Sequence, residues 1–100
     1  MMLSSFILAL MRLDLFLKLS RLCPRRSLAQ QLCDAGLVLL NGRAAKPAHA
    51  VNENDTITVQ HRRHETTVRV KSLPAARNVS RQAAQEMIDV IAERDLTDEI

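Results

Sequence analysis

Gly36 and Gly42 are the only 2 glycines in the chain, and both lie in the stretch DAGLVLLNGRAAK, where the apolar spacing changes from helical to alternating. A left-handed backbone position is most readily occupied by glycine, so these residues mark where the chain reverses sharply. Gly36 is expected to cap a helix C-terminus. Asn41-Gly42, set between LVLL and RAAK, predicts a two-residue hairpin turn joining short strands. The same scarcity of glycine excludes a Walker loop and a GxGxxG dinucleotide fingerprint, and no serine sits in a GxSxG elbow.

Upstream of Gly36 the spacing is helical. Leu13, Phe16, Leu17 and Ser20 share one face of a helix predicted over 12–22, beginning near Met11 with Asp14 in its first turn. Pro24 is expected to stop that helix and to occupy the first turn of a second, which runs to about Ala35 with Leu28, Ala29 and Leu32 facing inward. Downstream, DTITVQ and TTVRVKSL alternate as half-buried strands around a polar turn, HRRH. Ser80 is expected to cap a last helix whose apolar face is Ala84, Met87, Ile88 and Ile91. The order α-α-β-β-β-β-α predicts an α+β fold, two N-terminal helices packed on a small, mostly antiparallel sheet with a C-terminal helix. At 100 residues a single core is expected, divided into an apolar extension at 1–10, a domain at 11–73, and a linker with an acidic helix at 74–100. The apolar run from Phe6 to Met11 is far shorter than the roughly twenty residues that span a bilayer, and it has no basic flank or cleavage site of a secretion signal. No membrane association is expected.

The net charge of +3 is unevenly distributed. Arg12, Lys18, Arg21, Arg25, Arg26, Arg43 and Lys46 face only Asp14 and Asp34 in the first half, while the segment after Arg77 is acidic. Such polarity points to a polyanionic partner for the first half. Lys18 and Arg21 share one side of the first helix, and Arg25 and Arg26 open the second. Backbone amides at a helix start donate to phosphates, so two guanidinium forks beside them suit a phosphate site, which Arg43 and Lys46 extend. Acidic side chains also suit a helix start, so replacing Arg25 and Arg26 together by glutamate is expected to leave the fold intact. Phe6 and Phe16 are the only aromatic residues, too few for base stacking of the kind used by single-strand readers.

Catalysis has little foundation here. Asp14 and Asp34 are accounted for by helix-dipole and surface roles. His61 and His64 have metal-ligand spacing without the further ligands a zinc site needs, so no metal and no cofactor is expected. Cys23 and Cys33 form no CxxC pair, which predicts free thiols in a reducing cytoplasm.

The segment MRLDLFLKLSRLCPRRSLAQQLCDAGLVLLNGRAAKPAHAVNENDTITV resembles the S4 RNA-binding domain, the alpha-L motif. The resemblance rests on Arg12-Leu13-Asp14, Ser20-Arg21, Arg25-Arg26-Ser27, Ala29, Gly36, Val38, Asn41-Gly42, Lys46-Pro47, Val51, Asp55 and Ile57. Leu15 stands where the family often has lysine, and Pro24 where it has a basic or polar residue. With the shorter segment that follows, the chain is similar to small stand-alone members, the ribosome-associated heat-shock and RqcP-type quality-control factors. The resemblance implies a non-enzymatic, cytoplasmic factor, monomeric when free, that binds ribosomal RNA and tRNA on the large ribosomal subunit carrying a stalled peptidyl-tRNA. It implies Arg12, Lys18, Arg21, Arg25, Arg26, Ser27, Arg43 and Lys46 as the RNA-binding set, and Met11 as the usual family start. Two alternatives remain: the RNA-binding part of a pseudouridine-synthase-like modification system, and a protein-interaction adaptor using the acidic helix. For the first of these, too few residues follow the strands to form a catalytic domain.

Overall fold

The computed structural model describes residues 11–74 and 79–96; the expected extension at 1–10, part of the linker and residues 97–100 lie outside them. The first helix, α1 (Leu13–Leu19), is shorter than its periodicity suggested at both ends. At its start the backbone is claimed by pairing: β1 (Met11–Arg12) runs antiparallel to β4 (Ala50–Val51), with Met11 opposite Val51. The orphan amides of α1 are met from the turn before β4. Leu13 N donates to the His49 carbonyl at 2.8 Å and Asp14 N to that of Pro47 at 3.1 Å, which satisfies groups a helix start otherwise leaves bare.

At the other end α1 stops before Pro24 is reached. Arg21 takes a left-handed φ of 66°, and Cys23 N donates to the Leu17 carbonyl at 3.0 Å, folding the chain back on the helix. Pro24 is therefore neither the breaker of α1 nor a first-turn residue of the next helix. The second helix, α2 (Arg26–Asp34), starts after an extended N-cap at Arg25. It ends as expected, with Gly36 at φ 78°.

A five-stranded antiparallel sheet follows, in the order β3 (Arg43–Ala44), β2 (Val38–Leu40), β5 (Thr56–His61), β6 (His64–Val70) and β7 (Ile88–Asp95). Strands β2 (Val38–Leu40) and β3 (Arg43–Ala44) are joined by the Asn41-Gly42 turn, at φ 53° and 86°. Asn41 also fixes this hairpin to the next strand: its Oδ1 accepts from Thr56 N at 2.9 Å and its Nδ2 donates to Asp55 Oδ1 at 3.1 Å. Strands β5 (Thr56–His61) and β6 (His64–Val70) pair along their length from Thr56↔Arg69 to His61↔His64. Their two-residue turn has the same sign of φ as Asn41-Gly42 but is built from Arg62 (53°) and Arg63 (63°). For a residue with a side chain this conformation costs about 1–2 kcal/mol.

The C-terminal segment departs from expectation. Ser80 caps a helix as predicted, its Oγ accepting from Ala83 N at 3.1 Å, but this helix, α3, covers only Arg81–Gln85. Ile88–Asp95 forms β7, paired antiparallel with β6 through a register shift at Thr67/Val68. The helical reading of Ile88 and Ile91 fails because β6 would otherwise leave a row of amides and carbonyls unpaired, and Ile88, Val90 and Ile91 are branched residues suited to a strand. Met87 alone of that expected face after Ala84 is fully inside; Val90 and Ile91 are exposed.

Leu13, Phe16 and Leu17 from α1, Ala29 and Leu32 from α2, and Val38, Ile57, Val68 and Val70 from the sheet make one core. It packs the two helices against each other and against one face of the sheet. Among the described residues no helix is long and apolar enough to cross a membrane.

Candidate nucleic-acid interface

Asp14 organises the joint between the helices. Its side chain is fully buried, 0 % exposed. Arg12 approaches as a fork, Nε to Oδ1 and Nη2 to Oδ2, each at 3.1 Å. Gln30 Nε2 donates to Oδ2 at 2.8 Å, and Leu15 N to Oδ1 at 2.8 Å. Arg26 Nε lies 3.2 Å from Oδ2 without the alignment of a hydrogen bond, and its Nη2 reaches Oδ1 at 3.5 Å. The sequence treated Asp14 as a dipole partner and Arg26 as a free phosphate ligand. Instead, α1 and α2 are locked to each other through this carboxylate, with Arg12 and Arg26 turning one edge inward. Their side chains remain 46 % and 42 % exposed, so the outer edge of each guanidinium stays accessible in a fixed orientation.

Burial pushes the Asp14 carboxyl upward, but hydrogen bonds from Arg12, Gln30 and Arg26 outweigh it and hold the group down to about 2. A carboxyl lowered on folding stabilises the fold where it is ionised. The contribution, on the order of 2 kcal/mol, is fully present above the ordinary value of 3.8 and is lost as pH falls through about 2. Thermal melts followed by circular dichroism between those limits should therefore show a steep acid loss of melting temperature, and Asp14→Asn should flatten it.

The other expected cations fall into separate groups. Lys18 and Arg21 line a concavity of about 480 Å³ with Pro24 and Val79, and Arg21 Nη2 donates to the Val79 carbonyl at 3.1 Å. Arg25 and Ser27 line an adjoining one of about 470 Å³, whose opposite wall is His61 and Arg62. Pro24 belongs to both, so Lys18, Arg21, Arg25 and Ser27 border one continuous surface. Arg43 lies apart, beside Asn41 and His49. Lys46 begins the turn that caps α1, its carbonyl accepting from His49 N at 3.0 Å. The start of α2 has neither a side-chain cap nor an acidic residue in its first turn, an arrangement whose exposed amides and dipole favour an anion. Among the described ion pairs none involves Lys18, Arg21, Arg25, Arg43 or Lys46.

Sequence reasoning missed Gln30, which carries no charge and gives a signal only once the helices are packed. It also treated the HRRH turn as a plain hairpin tip, although His61 and Arg62 face the start of α2. His61 and His64 stand opposite each other across β5 and β6, and His64 Nε2 is 3.1 Å from Glu93 Oε1. Cys23 and Cys33 are free and buried; burial raises both thiols to about 11, which keeps them protonated and unreactive at neutral pH.

The S4 domain family matches residues 11–57. The chain is 37% identical over 86 residues to the RQC P-site tRNA stabilizing factor of Bacillus subtilis (strain 168), covering 86% of this chain and 98% of that one. To Heat shock protein 15 of Escherichia coli (strain K12) it is 36% identical over 73 residues, 73% of this chain and 55% of the relative. The trimeric structure of Vibrio cholerae Heat Shock Protein 15 is similar with a TM-score of 0.75 at 30% identity, over 88% of this chain and 87% of that one.

Proposed function

We propose a function on the premise of family: the chain belongs to the small S4-domain proteins that include the RQC P-site tRNA stabilizing factors and Heat shock protein 15. It is a non-enzymatic RNA-binding factor of the large ribosomal subunit, touching ribosomal RNA and the tRNA backbone on stalled peptidyl-tRNA complexes in quality control or heat-shock rescue. The observation that carries this reading is the surface bordered by Lys18, Arg21, Arg25 and Ser27 at an α2 start with no acidic residue in its first turn. A phosphodiester backbone supplies the negative charge that this helix start lacks.

Lys18, Arg21 and Arg25 are the direct phosphate contacts, with the Ser27 hydroxyl as a neutral donor beside them. Arg12 and Arg26 present their outer edges, pre-oriented by Asp14, and Arg43 and Lys46 flank the surface. Phosphate contacts position a protein without reading bases, so RNA shape selects the site.

Salt dependence tests the reading. With about five phosphates neutralised, log affinity for purified large subunits should fall against log salt with a slope of roughly −4 to −5. Filter-binding or sedimentation assays across salt give that slope. A nearly flat response would exclude a phosphate-driven contact and leave a protein-protein adaptor as the better account. A cryo-EM map of particles purified through a tag on this protein would identify the tRNA.

A further inference from the structure

We infer that the tip of the β5–β6 hairpin, Arg62-Arg63, is a second RNA-backbone contact that closes the groove opposite Arg25 and Ser27. The inference rests on the function proposed above and adds a site to it, on an element that follows the segment matched by the S4 domain family.

The groove of about 470 Å³ has two walls of different origin. Arg25, Ser27, Leu28 and Gln31 come from the start and outer face of α2, and His61 and Arg62 from the end of β5 and its turn. A smaller concavity of about 280 Å³ again includes His61 and Arg62, with Leu22 from the helix joint and Val59 and His64 from the sheet. Arg62 thus forms a basic ridge shared by both hollows and stands across the larger one from Arg25 and Ser27, with Pro24 and Leu28 also in its lining. A chain of phosphates running past Arg25 passes the ridge as well.

The turn itself is held firmly. Gln60 N donates to the Leu37 carbonyl at 2.9 Å on one side, and Leu96 N to the Arg63 carbonyl at 2.7 Å on the other. Nearby acidic groups are engaged elsewhere: Glu65 with Arg94 at 2.9 Å and Glu93 with His64 at 3.1 Å. Asp95, opposite His64 in the register, also has a partner. Among the described ion pairs, Arg25, Arg62 and Arg63 have no carboxylate.

The conformation of the tip supplies an independent argument. Both arginines have positive φ, 53° and 63°, the geometry for which Asn-Gly is the favoured pair. This same chain uses Asn41-Gly42 for the equivalent turn of its other hairpin, at 53° and 86°. Two arginines at the second turn are a poor conformational choice and a good electrostatic one. Planar guanidinium forks on a rigid turn fit phosphate oxygens.

The test is the full-length chain carrying Arg62→Asn with Arg63→Gly, compared with Arg25→Gln and wild type. Two probes are used, purified large ribosomal subunits and a naked A-form RNA duplex. The hairpin variant should melt at or above the wild-type temperature, bind both probes roughly tenfold or more weakly, and lose about 1 to 2 from its salt slope. Wild-type binding by the hairpin variant, with Arg25→Gln weakened, would overturn the tip contact and leave the proposed function standing. Loss of subunit binding with unchanged duplex binding would make the tip a protein contact and overturn the inference as well. If both variants bind as wild type, the RNA face itself is wrong and the tip contact falls with it. Should the hairpin variant melt lower, Arg62→Gln with Arg63→Gln, which removes the charge and keeps the side-chain length, carries the same comparison.

Discussion

Asp14→Ala should lower the melting temperature more than any surface change at the helix joint. The carboxylate is fully buried and receives Arg12, Gln30, Arg26 and the Leu15 amide. Removing one partner of a buried ionic cluster costs about 3–5 kcal/mol, largely because the remaining charges lose their counterion. Here Arg12 and Arg26 are nearly half exposed and can regain water, so the lower figure applies. About 3 kcal/mol corresponds to roughly 12 °C or more in a domain of this size. Differential scanning calorimetry gives the value; a loss of only a few degrees would mean that the helices are held by the apolar core alone. Because the lock also orients the outer edges of Arg12 and Arg26, RNA affinity should fall even at temperatures where the variant is folded.

What the sequence made legible, and what it concealed, follows the range of the interactions. Gly36 and Asn41-Gly42 were readable because their roles are set by local backbone geometry: the observed φ values of 78°, 53° and 86° are those a helix cap and a tight hairpin need. Pro24 misled, since a proline excludes helix continuation but does not say that α1 has already ended at a left-handed Arg21. The last segment misled in another way. Met87, Ile88 and Ile91 fit a helical spacing, yet the free edge of β6 offered more hydrogen bonds than an isolated amphipathic turn, and the branched residues went to β7. The cationic set was legible as a set, because charge can be counted along a chain. Its division was not. Arg26 meets Asp14 only through the way α1 packs on α2, and Arg62 reaches the start of α2 only through the pairing of β5 with β2. Both depend on contacts distant in sequence that no periodicity records.

Arg25 and Arg26, adjacent in sequence and alike in charge, should therefore respond in opposite ways to reversal. Arg25 is the extended N-cap of α2 and lines the open groove. Arg25→Glu places an acid at a helix start, which is neutral to stability or favours it by a few tenths of a kcal/mol. The same change turns a charge-assisted phosphate contact into a repulsion, a loss of about 2 kcal/mol or more and so roughly thirtyfold in affinity. The folded variant should no longer co-sediment with large subunits at moderate salt. Arg26→Glu should instead bring a second carboxylate against the buried Asp14, 3.2 Å from where the guanidinium stood. One of the two acids must then take a proton or the joint must open, and the expected cost is about 3 kcal/mol or more. The expectation from sequence is that both reversals leave the fold intact; the geometry at Asp14 predicts that outcome for Arg25→Glu and the opposite for Arg26→Glu. Melting curves and co-sedimentation on the two single variants separate the roles: a stable Arg26→Glu would refute the Asp14 lock, and undiminished co-sedimentation of Arg25→Glu would refute the phosphate contact at the groove.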